Sequence, residues 1–347
     1  MIYPCKKANV AFTLVEEIGQ EGKNSKVFLA IDNNLDGQIV IKEVLKSSFD
    51  DTKLFFDEAR KLYKSSHSNV VQVCYACDDD DKIYIAMPYY KNGSLKRIAE
   101  SRNLTIREII KFSTEFLSGL NNIHSKNLIH MDIKLDNILL SDRNEALLSD
   151  FGLAKHLNAD GLTEIDSVYP KVLPPEYFTK DRIVDRTYDI YQVGLVLYML
   201  CVGLDKFNHQ FFSFAEPNKS PTLPEAITSG KFPSRVIDLP HIPKALTNII
   251  NKCLNIQPSG RPKSALTITN ALADINGNIL DWEYFIDKTD NAEVWQKAAD
   301  EKFFQLRFMT NHSSIATKTV NDKTTKISAY CKKRIERSEI REFLESH

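Results

Sequence analysis

Net charge is almost missing from this sequence: 45 Lys and Arg face 46 Asp and Glu over 347 residues, leaving a formal charge of −1. No global field exists to hold a nucleic acid or an anionic membrane, so either partner would need a local patch. Cysteine is sparse, six in the whole chain, too few for a disulfide framework at this length. No signal peptide opens the sequence, which points to a reducing compartment and by default to the cytoplasm. Cys74 and Cys77 form a CxxC, but no second CxxC or His pair follows at zinc spacing. Val71, Val73 and Tyr75 around them alternate like a strand, so neither a metal nor a redox role is read there. Long apolar runs are lacking too. The most apolar stretch, Tyr188 to Leu204, contains Asp189, Gln192 and two glycines, is shorter than a bilayer needs, and reads as a buried core helix. Internal repeats and low-complexity tracts are absent.

What is present is an ordinary globular composition, 43% hydrophobic and 26% charged, in a chain long enough for one large or two modest domains. The first ninety residues read mainly as strands. Val27 to Ile31 and Gln38 to Val44 are β-rich runs around Asp32-Asn33-Asn34-Leu35-Asp36-Gly37, a hairpin turn. A helix over Asp50 to Lys64 follows, with Leu54, Phe55, Ala59 and Leu62 at helical spacing; strands resume at Val70 to Cys74 and Lys82 to Met87.

After Gly93 the period changes. Thr105 and Glu108 form a capping box that opens a long amphipathic helix ending near Asn127. Further helices are expected over Tyr188 to Cys201, Pro243 to Leu254 and Ser264 to Ile275. A strand-rich lobe preceding a helix-rich lobe, joined near Tyr89 to Gly93, implies α+β architecture with a ligand cleft between the lobes. Beyond about 276, short strands are expected at Glu293 to Ala298, Phe303 to Thr310, Ile315 to Val320 and Thr325 to Cys331, then a helix from about Ser338.

The chemistry is concentrated in His130-Met131-Asp132-Ile133-Lys134-Leu135-Asp136-Asn137, an Ile-Leu-Leu run, and Ser149-Asp150-Phe151-Gly152. Over roughly residues 12 to 275 the chain resembles the protein kinase family, whose motifs occur in this order. Phosphoryl transfer needs acids to hold Mg²⁺, a cation on the nucleotide phosphates and a carboxylate facing the incoming hydroxyl. The resemblance implies a bilobal kinase-like fold and makes Asp132 the catalytic base, with Asn137 and Asp150 as metal ligands. Taken singly, Asp132 would be read as a turn-capping aspartate; three motifs in the right order favour the functional reading. Lys134, two beyond the base, resembles the lysine that Ser/Thr kinases place near the transferred phosphate.

Upstream, Val40-Ile41-Lys42 resembles the strand carrying the phosphate-anchoring lysine. An unpaired ammonium at the end of an apolar run is costly, so a carboxylate partner is expected: Glu58 first, Asp57 and Glu43 as weaker candidates. The glycine-rich loop position, Ile18 to Val27, departs from the family's pattern. Counting back from Val27, the three glycine places are Gln20, Gly22 and Ser25, unless one residue is inserted after Gly19. Gly19, Gly22, Ser25 and Val27 are its candidate nucleotide contacts, with Lys42 behind them. Met87-Pro88-Tyr89-Tyr90 resembles the hinge, with Met87 as gatekeeper and the Pro88 carbonyl and Tyr90 amide facing adenine. Glu176 and Arg261 are an expected ion pair, and Asp189 an expected anchor of the catalytic-loop backbone.

The resemblance thus implies a Mg²⁺-dependent Ser/Thr protein kinase using ATP on protein substrates. Two alternatives are a pseudokinase or nucleotide-binding scaffold, suggested by the altered glycine loop, and a small-molecule kinase of the aminoglycoside or choline type. Met131 stands where many family members carry arginine, which orders the activation segment by binding a phosphate; Thr163, Ser167 and Tyr169 are that segment's hydroxyls. Residues 1 to 275 are expected to be the kinase domain, with an N-lobe over about 10 to 90 and a C-lobe over about 91 to 275. Residues 276 to 347 are expected to be a separately packed, β-rich accessory module able to dock a partner. Its cluster Lys332, Lys333, Arg334, Arg337 and Arg341 reads first as a solvated helix face; nucleic acid is disfavoured and no membrane contact is expected.

Overall fold

The computed structural model describes residues 9–20, 25–49, 51–165, 172–216 and 220–347. The first lobe is built from β1 (Phe12–Gln20), β2 (Ser25–Asp32), β3 (Gly37–Leu45), α1 (Asp57–Lys64), β4 (Tyr75–Asp78) and β5 (Lys82–Pro88). The strands form one antiparallel sheet in the order β1-β2-β3-β5-β4. The β2–β3 turn closes because the Asp32 carboxylate accepts the amides of Asn34 and Leu35. This sheet's own buried cluster is small: Ala30, Ile39, Ile41 and Ala86.

Two sequence expectations are corrected here. The helix expected from Asp50 begins only at Asp57, because Thr52–Leu54 is a 3₁₀ turn and Phe55 turns to meet the Phe49 ring at 5.7 Å. Asp50 lies outside the described residues. The strand expected over Val70 to Cys74 is a loop, and the strand starts at Tyr75. The backbone there pairs across the molecule instead: Val71 N–H donates to the Leu148 carbonyl and Leu148 N–H to the Asn69 carbonyl.

The second lobe contains α2 (Leu95–Ser101), α3 (Ile106–Ser125), β6 (Leu128–Ile129), β7 (Ile138–Leu140), β8 (Ala146–Leu148), β9 (Lys155–His156), β10 (Thr163–Glu164) and β11 (Ile183–Val184). It continues with α4 (Thr187–Val202), α5 (Leu204–Ala215), α6 (Leu223–Thr228), α7 (Lys244–Cys253) and α8 (Ala265–Ala273). The capping box of Thr105 and Glu108 opens α3, whose Ile109, Phe112, Phe116, Leu120 and Ile123 line its buried face. Gly119 allows α3 to approach the first lobe: a Cβ there would sit 2.3 Å from the Asn69 carbonyl oxygen. The apolar run beginning at Tyr188 is a core helix buried along its whole length, and the helix expected from Pro243 starts at Lys244 with Pro243 as its N-cap. No single helix among the described residues is long and apolar enough to cross a membrane; α4 and α5 pass only as a pair bent by 119°.

The chain ends in β12 (Glu283–Ile286), β13 (Glu293–Ala299), β14 (Lys302–Phe308), β15 (Ser314–Val320), β16 (Lys323–Lys326) and α9 (Arg337–Ser346). The strands form a second five-stranded sheet, in sequential order and antiparallel throughout. The strand expected to run to Cys331 stops at Lys326, because a 3₁₀ turn at Ser328–Tyr330 carries the chain back over the sheet. There the Ser314 hydroxyl donates to the Tyr330 carbonyl at 2.7 Å. Separate packing of this module is also corrected: Trp282, Trp295, Leu306, Ile340 and Phe343 belong to the same buried cluster as α3 and α4. Trp295 Nε1 donates to His241 Nδ1 at 3.0 Å, His241 stacks on Tyr284, and Arg107 clamps Asp281. Of the basic cluster, Lys332 pairs with Glu339, Arg337 is bidentate on Glu293, and Arg341 donates to the Ile242 carbonyl.

Candidate active site

A cavity of about 410 Å³ lies between the lobes. Ile18, Gly19, Val27 and Val40 line it from the first sheet, Met87 to Tyr90 from the connection, and Leu139 from the second lobe; Lys42, Glu58 and Asp150 also line it. Apolar walls with a few convergent charges are what a planar ligand bearing an anionic tail requires. Gly19, Val27, Lys42, Glu58, Met87, Pro88, Tyr90 and Asp150, expected from sequence, thus share one cleft. Ser25 opens β2 but is not on this lining, and Gly22, Ser167 and Tyr169 lie outside the described residues. Sequence reading passed over Val40 and Leu139 as lining groups. Val40 was findable, because residues i and i+2 of a strand share a face and Lys42 points into the cleft. Arg97 and Asp136 at the mouth carried no comparable signal.

The charged centre is a partly buried ion triplet. Lys42 on β3 donates to Glu58 Oε1 of α1 at 2.8 Å and to Asp150 Oδ1 at 2.8 Å, with its side chain only 7% exposed. The weaker candidates are engaged elsewhere: Glu43 with Lys82 and Asp57 with Lys61. Burial alone would raise the Asp150 carboxyl, but the Lys42 ammonium and the Gly152 N–H outweigh it and hold the group down to about 2. A Cβ at Gly152 would press on the Asp150 carboxylate, 3.2 Å from Oδ1.

Beside it lies the loop between β6 and β7. Lys134 Nζ reaches Asp132 Oδ2 at 2.7 Å, and Asn137 Nδ2 donates to the same oxygen at 2.8 Å and to the Asp132 carbonyl at 3.0 Å. Asp132 Oδ1 is buried and accepts no hydrogen bond among the described residues. An unsatisfied carboxylate oxygen costs roughly 1–3 kcal/mol. The Asn137 carbonyl accepts both the amide and the hydroxyl of Ser149, which fixes Asn137 next to Asp150.

The loop is held from below. Asp189 on α4 takes the His130 and Met131 amides at 2.8 Å each and His124 Nε2 at 2.7 Å. Burial would raise its carboxyl, yet these donors lower it. Gln192, one turn on, accepts from Ile133 N–H and donates to the Met131 carbonyl. Met131 adopts φ 66° and is packed with Ile129, Leu157, Ile165, Val184 and Tyr188. Glu176 and Arg261 form a buried bidentate pair at 2.6 and 2.7 Å.

An ionised carboxylate at Asp150 and an amide oxygen at Asn137 are hard donors that suit Mg²⁺. Among the described residues no group of three His, Cys, Asp or Glu could hold a metal alone, so a cation here would share its shell with phosphate oxygens and water.

The protein kinase domain model matches residues 12–274. The chain is 29% identical over 291 residues to a probable serine/threonine-protein kinase of Clostridium acetobutylicum, covering 82% of this chain and 43% of that protein. It is 28% identical over 249 residues to the probable serine/threonine-protein kinase PknB of Lactococcus lactis, covering 70% and 38%. Against the mouse serine/threonine-protein kinase Nek5 the identity is 32% over 257 residues, covering 72% and 38%. The chain therefore spans less than half the length of these relatives.

Proposed function

The chain belongs to the protein kinase family, and on that premise we propose that it transfers the γ-phosphate of ATP to Ser and Thr hydroxyls of protein substrates. Adenine would sit between Val27 and Val40 above and Leu139 below, bonding the Pro88 carbonyl and Tyr90 amide. Lys42, oriented by Glu58, would bind the phosphates; the backbone around Gly19, Gly22 and Ser25 would cover them. Asn137 and Asp150 would hold Mg²⁺, which when bound neutralises charge on the phosphate oxygens. Asp132 would accept or orient the proton of the acceptor hydroxyl at Oδ1, while Lys134 would stabilise the transferring group's negative charge.

The observation that carries this reading is Asp132, with one oxygen fixed by Lys134 and Asn137 and the other buried without a partner among the described residues. Ser/Thr preference rests on Lys134 and on the relatives' names. Residues 1–275 are assigned as the catalytic unit, supported by the family match ending at 274, and 276–347 as an accessory module that docks a protein partner. The free thiols of Cys74, Cys77, Cys201, Cys253 and Cys331 suit a cytoplasmic location. The test is transfer of labelled phosphate from Mg²⁺-ATP to Ser-, Thr- and Tyr-containing peptides. Ser and Thr peptides should be labelled, and Asp150→Ala should cut the rate by about 10³ or more. Wild-type turnover by Asp150→Ala on every peptide would overturn the assignment.

A further inference from the structure

Glu58 can orient Lys42 only if α1 stays against the cleft, and α1 is weakly held by its own means. It has eight residues, of which Ala59 and Leu62 are buried; a helix this short is marginal without tertiary contacts. Three residues after Glu58, on an adjacent face, Lys61 extends its ammonium to the Ala154 carbonyl at 2.6 Å. Ala154 N–H in turn bonds the Phe151 carbonyl, closing the turn that begins at Asp150. The contacts form a ring: Lys42 to Glu58, along α1 to Lys61, across to Ala154, back through the turn to Asp150, and from Asp150 to Lys42. Lys61 also pairs with Asp57 at 2.5 Å, but that contact stays within α1. The bland alternative is an i,i+4 pair, worth a few tenths of a kcal/mol.

We propose that Lys61 is a positioning residue that latches α1 to the turn after Asp150 and so keeps Glu58 on Lys42. The proposal rests on the kinase reading for its rate effect and on geometry alone for its effect on α1. The experiment uses the full chain with Lys61→Met, which keeps the methylene stem, Lys61→Arg, which keeps a cationic donor, and Asp57→Asn, which removes only the pairing within the helix. Measured are kcat and KM on a Ser/Thr peptide, Tm, and hydrogen exchange of the 57–64 amides.

Lys61→Met should lower kcat about tenfold, leave the peptide KM and Tm near wild type, and speed exchange across α1 by a similar factor. Arginine should restore both, and Asp57→Asn should stay within about twofold. In a Glu58→Gln background Lys61→Met should add less than about twofold, because both act through one contact. The full tenfold loss in that background, an equal loss from Asp57→Asn, or unaltered exchange would each overturn the latch. If Lys61→Met does not fold, Lys61→Gln, too short to reach Ala154, replaces it under the same criteria. If the wild-type chain transfers no phosphate, the kinase reading fails and the exchange comparison alone decides the latch.

Discussion

The molecule contains two five-stranded antiparallel sheets with opposite constructions. The first, β1 to β5, closes over a four-residue apolar cluster and has Lys42 within it, its charge met by Glu58 and Asp150 from other elements. The second, β12 to β16, buries Trp295, packs beside the buried Trp282 that precedes it and merges its core with that of the helical lobe. Strand number therefore says little about how firmly a sheet is held. A sheet joined to the other lobe by an ion pair can shift relative to it as a ligand enters, whereas one sharing a hydrophobic core must move with it.

The contrast breaks most clearly at Trp295. Replacing it with alanine removes a fully buried indole and its bond to His241, and should cost about 3–5 kcal/mol. Because the core is continuous, chemical denaturation should still show one transition for the second sheet and the helical lobe, shifted to lower denaturant. An early, separate loss of the sheet would show that the two pack independently.

A smaller effect is expected from pH at the same junction. Burial, with Arg341 and Arg337 nearby, lowers His241 to about 3. The unfolded state therefore binds more protons between about pH 6.5 and 3, and stability falls as pH falls through that window. At pH 5 the loss should be about 2 kcal/mol relative to pH 7, read from unfolding curves at the two values. His241→Gln, which cannot take up that proton, should flatten the dependence over this interval; an unchanged slope would place its origin elsewhere.

The smallest effect should lie between the two sheets, in the segment after Asp150. Met131 is 2% exposed in an apolar cluster with Ile165 and Val184, and β10 pairs with β11, so this part of the segment is ordered by packing and backbone bonds. Phosphatase treatment should change the initial peptide rate by less than about twofold. A rate near zero that recovers in step with phosphate on Thr163 or Ser167 would show that charge, not packing, orders the segment.

Much of the site was legible in the chain. Lys42, Asp132, Asn137 and Asp150 stand at offsets that chemistry constrains, and the Thr105–Glu108 box marked the start of α3 to the residue. Other features were not. Val70 to Cys74 has strand composition, yet the Val71 N–H bonds the Leu148 carbonyl of the helical lobe, a partner more than seventy positions away. The helices α5 and α6 and strand β12 also escaped, because the apolar run ending at Leu204 hid a break at Gly203 and the later segments are short.

What the sequence determined by itself was local: residue types at fixed spacing, turn chemistry, caps and the change from period two to period three and four. These depend on bonds within a few residues, so the linear string contains them. Tertiary structure alone decided that Asp150 would join Glu58 on Lys42, that Lys61 would span from α1 to Ala154, and that Trp295 would join the second sheet to the helical lobe. Each of those contacts joins groups far apart in the chain, where burial and charge select among several chemically equivalent partners and only packing geometry chooses one.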